Sequence, residues 1–107
     1  MNSKDGLRSA RRIPLTGRVR VGWEDEHGYP HMAYGRCFDI SATGLGLEME
    51  ETVPVRGYVN FEVIPLGFKG SASVRFVRRK GLRNVVGLDF SGGLRWNPGD
   101  YPASSGA

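Results

Sequence analysis

The sequence has little of what disulfides, metal sites and membrane spans require. Its one cysteine, Cys37, cannot form an internal disulfide or a metal site by itself, and its position next to Phe38 predicts a buried, small apolar side chain. The longest apolar runs are only a few residues, too short for a transmembrane helix. The polar, basic start is followed by no apolar stretch, so no secretory signal is predicted. We therefore expect a cytoplasmic protein without membrane insertion.

A helical period is also missing, and short stretches of alternating apolar and polar residues take its place. Such alternation between turn residues is typical of half-buried strands. Six stretches show it: around Val21, from Met32 to Ile40, and around Leu47, Phe61, Val74 and Leu88. In a chain with 16 glycines and six prolines, an antiparallel barrel is the natural way to close such a sheet and remove its edges. The predicted fold is all-β, a six-stranded antiparallel barrel over residues 13–90, between a flexible basic tether at 1–12 and a mostly disordered tail at 91–107.

Charge is strongly segregated along the chain. Residues 1–20 carry six cations and one acid, residues 21–67 two cations and eight acids, and residues 68–107 seven cations and two acids. If the two basic ends meet in space, they form a local anion site. Twelve of the fifteen cations are arginines, whose planar fork suits phosphates and whose flat face suits stacking.

Three arginines lie close together in Arg8-Ser9-Ala10-Arg11-Arg12. In an extended segment Arg8 and Arg12 are about 13 Å apart and share a side. Each fork can make a bidentate, charge-assisted contact with a phosphate, or contact the edge or face of a base. We interpret the segment as a tether for an anionic ligand; the alternative is a basic tail that binds any acidic surface.

A second motif, Asp39-Ile40-Ser41-Ala42-Thr43-Gly44-Leu45-Gly46, lies at a predicted turn. Asp39 ends a strand, Ser41 and Thr43 can hydrogen-bond locally, and Gly44 is predicted to supply the positive φ of a tight turn. A carboxylate placed here can accept the N1–H and the exocyclic amine of a guanine. Backbone N–H groups around Gly44 and Gly46 can hold an oxygen of a phosphate or base. The alternative is a plain hairpin turn in which Asp39 caps its own backbone.

Together the two motifs resemble the PilZ domain family of cyclic di-GMP receptors, in which Arg-x-x-x-Arg is followed by Asp-x-Ser-x-x-Gly. The late strand Val86-Gly87-Leu88-Asp89-Phe90 is also similar to the family. The resemblance implies a six-stranded barrel whose N-terminal arginines fold over the ligand, while the Asp–Ser–Gly turn reads a guanine. The predicted ligand-binding residues are Arg8, Arg12, Asp39, Ser41 and Gly44, with Arg11, Gly46 and Arg75 as further candidates.

The implied function is a nucleotide-binding receptor or adaptor that signals the level of this bacterial second messenger to a partner protein by ordering its N-terminal arm. Two alternatives stay open: a small barrel that binds single-stranded nucleic acid, and a PilZ-like interaction domain without nucleotide binding. No arrangement of residues points to catalysis, so we expect neither an enzyme nor a cofactor. The segment Glu24-Asp25-Glu26-His27, with His31, is interpreted as a solvated acidic loop rather than a metal site.

Overall fold

A computed structural model describes residues 11–97, and within them the chain forms a closed barrel of six strands. The strands are β1 (Ile13–Glu24), β2 (Pro30–Ile40), β3 (Gly44–Met49), β4 (Tyr58–Val63), β5 (Phe68–Lys80) and β6 (Arg83–Phe90). The order around the barrel is β1-β2-β3-β6-β5-β4, and the antiparallel pairing of β4 with β1 closes it. A short 3₁₀ turn, Ile64–Leu66, joins β4 to β5, and residues 11–97 contain no α-helix. The predicted fold class is confirmed.

The period-two pattern of the sequence explains the interior of the barrel. Successive side chains of a strand point to opposite faces, so alternate apolar residues all reach the inside. Burying each large aliphatic or aromatic side chain contributes about 1.5–3 kcal/mol. The core is formed by Leu15, Val19, Val21, Ala33, Cys37, Ile40, Leu45, Leu47, Met49, Val53, Val59, Phe61, Val63, Ala72, Val74, Val86, Leu88 and Trp96. The expectation that Cys37 is a buried, small apolar residue is therefore confirmed.

Residues 91–97 lie against the barrel. Trp96 is buried in the core cluster, and its backbone N–H donates to the carbonyl oxygen of Ala42 at 3.0 Å. Leu94 packs on the same cluster and lies over Gly70, where a Cβ would overlap its side chain. The first seven residues of the predicted tail thus belong to the packed part of the molecule. Residues 98–107, and residues 1–10 of the predicted tether, lie outside the described range.

Two β-bulges shape the solvent-facing side of β2, β3, β6 and β5, which we call the outer face. In β2 the pairing with β3 shifts between Cys37 and Asp39, which leaves Phe38 as the extra residue. In β5 the pairing with β6 shifts between Val74 and Phe76, which leaves Arg75 as the extra residue. Bulges redirect side chains and increase local twist. As a result, an aromatic ring and a guanidinium group are exposed on the outer face. None of the helical structure in residues 11–97 is long and apolar enough to cross a membrane.

Candidate functional site

The candidate site lies on the outer face, where one row of residues crosses four strands. Asp39 of β2 pairs with Gly46 of β3, Gly46 with Gly87 of β6, and Gly87 with Phe76 of β5. Because the two central residues are glycines, aromatic rings lie directly on their backbone. A Cβ on Gly46 would be 2.7 Å from Cζ of Phe38, and a Cβ on Gly87 would overlap the ring of Phe76. The middle of the outer face is therefore backbone with two phenylalanine rings over it.

The carboxylate of Asp39 is the most unusual polar group on this face. Its Oδ2 lies 3.4 Å from Nε of Arg12, with 22% of the Asp39 side chain and 39% of the Arg12 side chain exposed. Its Oδ1 is buried and, among the described residues, accepts no hydrogen bond. A buried acceptor without a donor costs about 1–3 kcal/mol. The fold thus keeps one carboxylate oxygen unpaired beside the ring of Phe38, and a donor from a ligand reaches it only when the carboxylate or that ring moves.

The pairing of β1 with β2 brings Arg12, the last residue of the tether motif, to the turn motif. Pro14 pairs with Asp39, so Arg12, two residues earlier, reaches the carboxylate. Arg11 is exposed, and Arg8 lies outside the described residues. Of the predicted tether, the structure therefore brings Arg12 to Asp39.

Ser41 holds the turn together from inside. It is only 2% exposed, and its Oγ accepts hydrogen bonds from the N–H groups of Thr43 at 3.3 Å and Gly44 at 3.2 Å. Its backbone N–H donates to the carbonyl oxygen of Gly44 at 2.8 Å. The local hydrogen bonding predicted for Ser41 is confirmed. Through these bonds Ser41 sets the backbone course from Asp39 to Gly44.

The prediction that Gly44 supplies a positive φ is wrong. Between residues 11 and 97 the glycines with positive φ are Gly28, Gly67, Gly81, Gly92 and Gly93, whereas Gly44 is the first residue of β3. Gly44 pairs with Asp89, and a Cβ on it would overlap the carbonyl oxygen of Leu88. The position excludes side chains because a neighbouring strand approaches closely.

Arg75 joins the outer face through its bulge. Its Nη1 lies 3.7 Å from Oδ1 of Asp89, and 66% of its side chain is exposed. Asp89 pairs with Gly44, which ends the turn that follows Asp39. Arg75 of β5 therefore lies on one side of Gly44. The predicted residues Asp39, Gly44, Gly46 and Arg75 therefore share one face.

Sequence reasoning missed the role of Phe38 in shaping this face. Phe38 is 41% exposed as a residue and lines a groove along the outer face. The other residues of the groove are Glu48, Arg78, Arg79, Lys80 and Val85. Alternation with the buried Cys37 does show that Phe38 points outward, but it would place Asp39 inside, whereas the bulge brings Asp39 to the same outer face. The bulge that moves the ring over Gly46 depends on the partner strand, and no local pattern indicates it.

The acidic loop between β1 and β2 is closed by its own hydrogen bonds. Oδ1 of Asp25 accepts the N–H groups of His27 at 2.8 Å and Tyr29 at 3.0 Å, and Oδ2 lies 2.8 Å from Nε2 of His31. The hydrogen bond from His31 is the main reason that the pKa of Asp25 is lowered. Trp23 packs against the core and stacks on His31. In residues 11–97 no three His, Cys, Asp or Glu side chains are grouped to hold a metal ion.

Fold and site together define a small closed β-barrel with a carboxylate-centred outer face. Neither the comparison with protein-family models nor the comparison with curated proteins gave a match. Inference about function therefore depends on the two motifs and on the geometry around Asp39.

Proposed function

We propose that this protein is a cytoplasmic receptor or adaptor domain that binds cyclic di-GMP on its outer face. The observation that carries the proposal is Asp39, whose Oδ2 faces Arg12 while its buried Oδ1 accepts no hydrogen bond from residues 11–97. Guanine presents two adjacent donors, N1–H and the exocyclic amine, which match the two oxygens of one carboxylate. Hydrogen bonds to a charged acceptor are worth about 1.5–3 kcal/mol, enough to select guanine.

The charges around Asp39 suit a ligand with two phosphodiester groups. Arg12 is 39% exposed on its side chain and Arg75 66%, so both guanidinium groups can turn toward an anion. Arginine forks bind phosphate oxygens in bidentate fashion and stack on flat bases. Arg8, the other arginine of the motif, would complete the tether.

Signal output would come from the N-terminal arm. An arm that becomes ordered over the ligand exposes a different surface to an effector protein, an order–disorder switch. This mode of action needs no catalytic residue and no cofactor, so we propose a binding module rather than an enzyme.

Calorimetric titration of single arginine variants tests the proposal. We expect Arg8→Ala and Arg12→Ala each to weaken cyclic di-GMP binding by ~1.5–3 kcal/mol, the range for hydrogen bonds to charged groups. Arg11→Ala is the matched control: it removes the same charge from the same segment outside the motif spacing, and should cost less. If both motif variants bind like the wild type, the tether has been assigned wrongly.

A second candidate function, binding of single-stranded nucleic acid, is favoured by a different observation. On the outside of β1 and β2, the guanidinium carbon of Arg18 lies 4.2 Å from the centroid of the Tyr34 ring. Tyr34 is 44% exposed. Basic surfaces with exposed aromatic rings stack bases without sequence preference. Tyr34→Ala would weaken oligonucleotide binding if this face were used, and would leave cyclic di-GMP binding unchanged.

A further inference from the structure

Phe38 differs from the other outward-facing aromatic residues near the site. The ring of Tyr34 is covered by Arg18, with 4.2 Å between guanidinium carbon and ring centroid, and the ring of Phe76 by Arg78, at 5.1 Å. Within residues 11–97, Phe38 has neither a cation nor a second ring against it, and it is 41% exposed. It is thus an exposed aromatic surface without a partner on the outer face.

The position of Phe38 links this ring to the carboxylate of Asp39. Cζ and Cε1 of Phe38 lie 2.7 and 2.9 Å from the point where a Cβ on Gly46 would stand, and Oδ1 of Asp39 lies 2.8 Å from the same point. The ring and the unpartnered oxygen therefore stand side by side above one glycine. Any side chain at position 46 would push them apart.

The two groups have complementary chemistry for a planar ligand. A base that accepts no contact beyond its donor edge at Asp39 would still lie close to Phe38, because Cζ of Phe38 and Oδ1 of Asp39 lie 2.7 and 2.8 Å from the same point above Gly46. Aromatic rings bind bases by stacking, and a ring that no cation or second ring covers can stack on a base of a ligand. The bulge that makes Phe38 the extra residue of β2 is what places the ring there.

We propose that Phe38 is the stacking surface for the guanine that Asp39 reads. This inference rests on the proposed function. It also assigns Phe38 a part in ligand selectivity, because an anion without a base cannot stack on the ring and would bind no more tightly for its presence. Rotation of an exposed side chain occurs on the ps–ns timescale, so the ring can turn to admit the base and then cover it.

The test is calorimetric titration of cyclic di-GMP into wild type, Phe38→Leu and Phe38→Trp. Leucine keeps an apolar side chain but has no π-face, so we expect binding to be about 5- to 150-fold weaker, which corresponds to the ~1–3 kcal/mol of base stacking. Phe38→Trp should bind within about threefold of wild type because it keeps an aromatic face. Tyr34→Leu is the matched control, an aromatic of similar exposure on the same strand, and should also stay within about threefold.

A second measurement keeps the inference testable if Phe38→Leu fails to fold. In the wild-type complex, nuclear Overhauser contacts are expected between guanine H8 and the Phe38 ring protons. If wild type binds and these contacts are absent, or if Phe38→Leu binds like wild type, the stacking role is overturned while the proposed function stands. If wild type does not bind cyclic di-GMP, the proposed function itself fails.

Discussion

Replacing Asp39 by alanine should stabilise the ligand-free protein. The carboxylate makes one partly exposed ion pair, with Arg12 at 3.4 Å, and such pairs contribute about 0–1 kcal/mol. Its Oδ1 is buried without a donor among the described residues, which costs about 1–3 kcal/mol. The second effect is the larger, so Asp39→Ala should raise the free energy of unfolding by about 1 kcal/mol.

Thermal and urea denaturation measure this directly. For a domain of this size, about 1 kcal/mol corresponds to a rise in Tm of about 4–8 °C. Asp89→Ala is the matched control: its carboxylate, 3.7 Å from Arg75, is half exposed, so the change should stay within about 0.5 kcal/mol. A loss of stability of 1 kcal/mol or more in Asp39→Ala would refute the reasoning. Such a loss would mean that the Asp39 carboxylate stabilises the folded protein and is not kept for binding a ligand.

Three further predictions follow from the structure. Gly44→Ala should lower the free energy of unfolding by about 1–3 kcal/mol, because its Cβ would overlap the carbonyl oxygen of Leu88; an unchanged urea midpoint would contradict this. Burial, and secondly the charge of Asp39, raise the pKa of the Cys37 thiol to about 12. Because the thiolate is the reactive form, iodoacetamide at pH 8 should alkylate Cys37 in the native protein at least ~100-fold more slowly than in the unfolded protein. Mass spectrometry measures both rates. Equal alkylation rates for the native and the unfolded protein would contradict this prediction. Raising NaCl from about 50 to 200 mM should weaken cyclic di-GMP binding less than about tenfold, whereas a protein contacting six or more phosphates loses about a thousandfold or more.

The strands and their closure were predictable because alternation is a local property. Val19 and Val21, or Leu45 and Leu47, show their inward direction within a few residues, and turns rich in glycine mark where each strand ends. A closed barrel is a natural arrangement for six half-buried strands because closure removes both edges of the sheet. No information from distant parts of the chain was needed for this level of the structure.

The details of the outer face were not predictable, because they depend on pairing between distant segments. Gly44 leaves no room for a side chain for a reason that lies in β6, 44 residues later, where the carbonyl of Leu88 approaches it. Phe38 and Arg75 look like ordinary outward-facing strand residues until their partner strands are known, because a bulge is a mismatch between two strands. The contact between Arg12 and Asp39 likewise arises from the pairing of β1 with β2.

The most direct test of the central claim is a titration of the isotope-labelled wild-type protein with cyclic di-GMP, followed by NMR through its backbone amides. Shifts are expected at residues 38–46 and at Arg12, and Asp39→Ala should lose them. GTP and a short oligonucleotide at equal concentration should leave these amides nearly unchanged. No shift with cyclic di-GMP, or shifts confined to the face around Arg18 and Tyr34, would contradict the assignment of Asp39 as the guanine-reading residue.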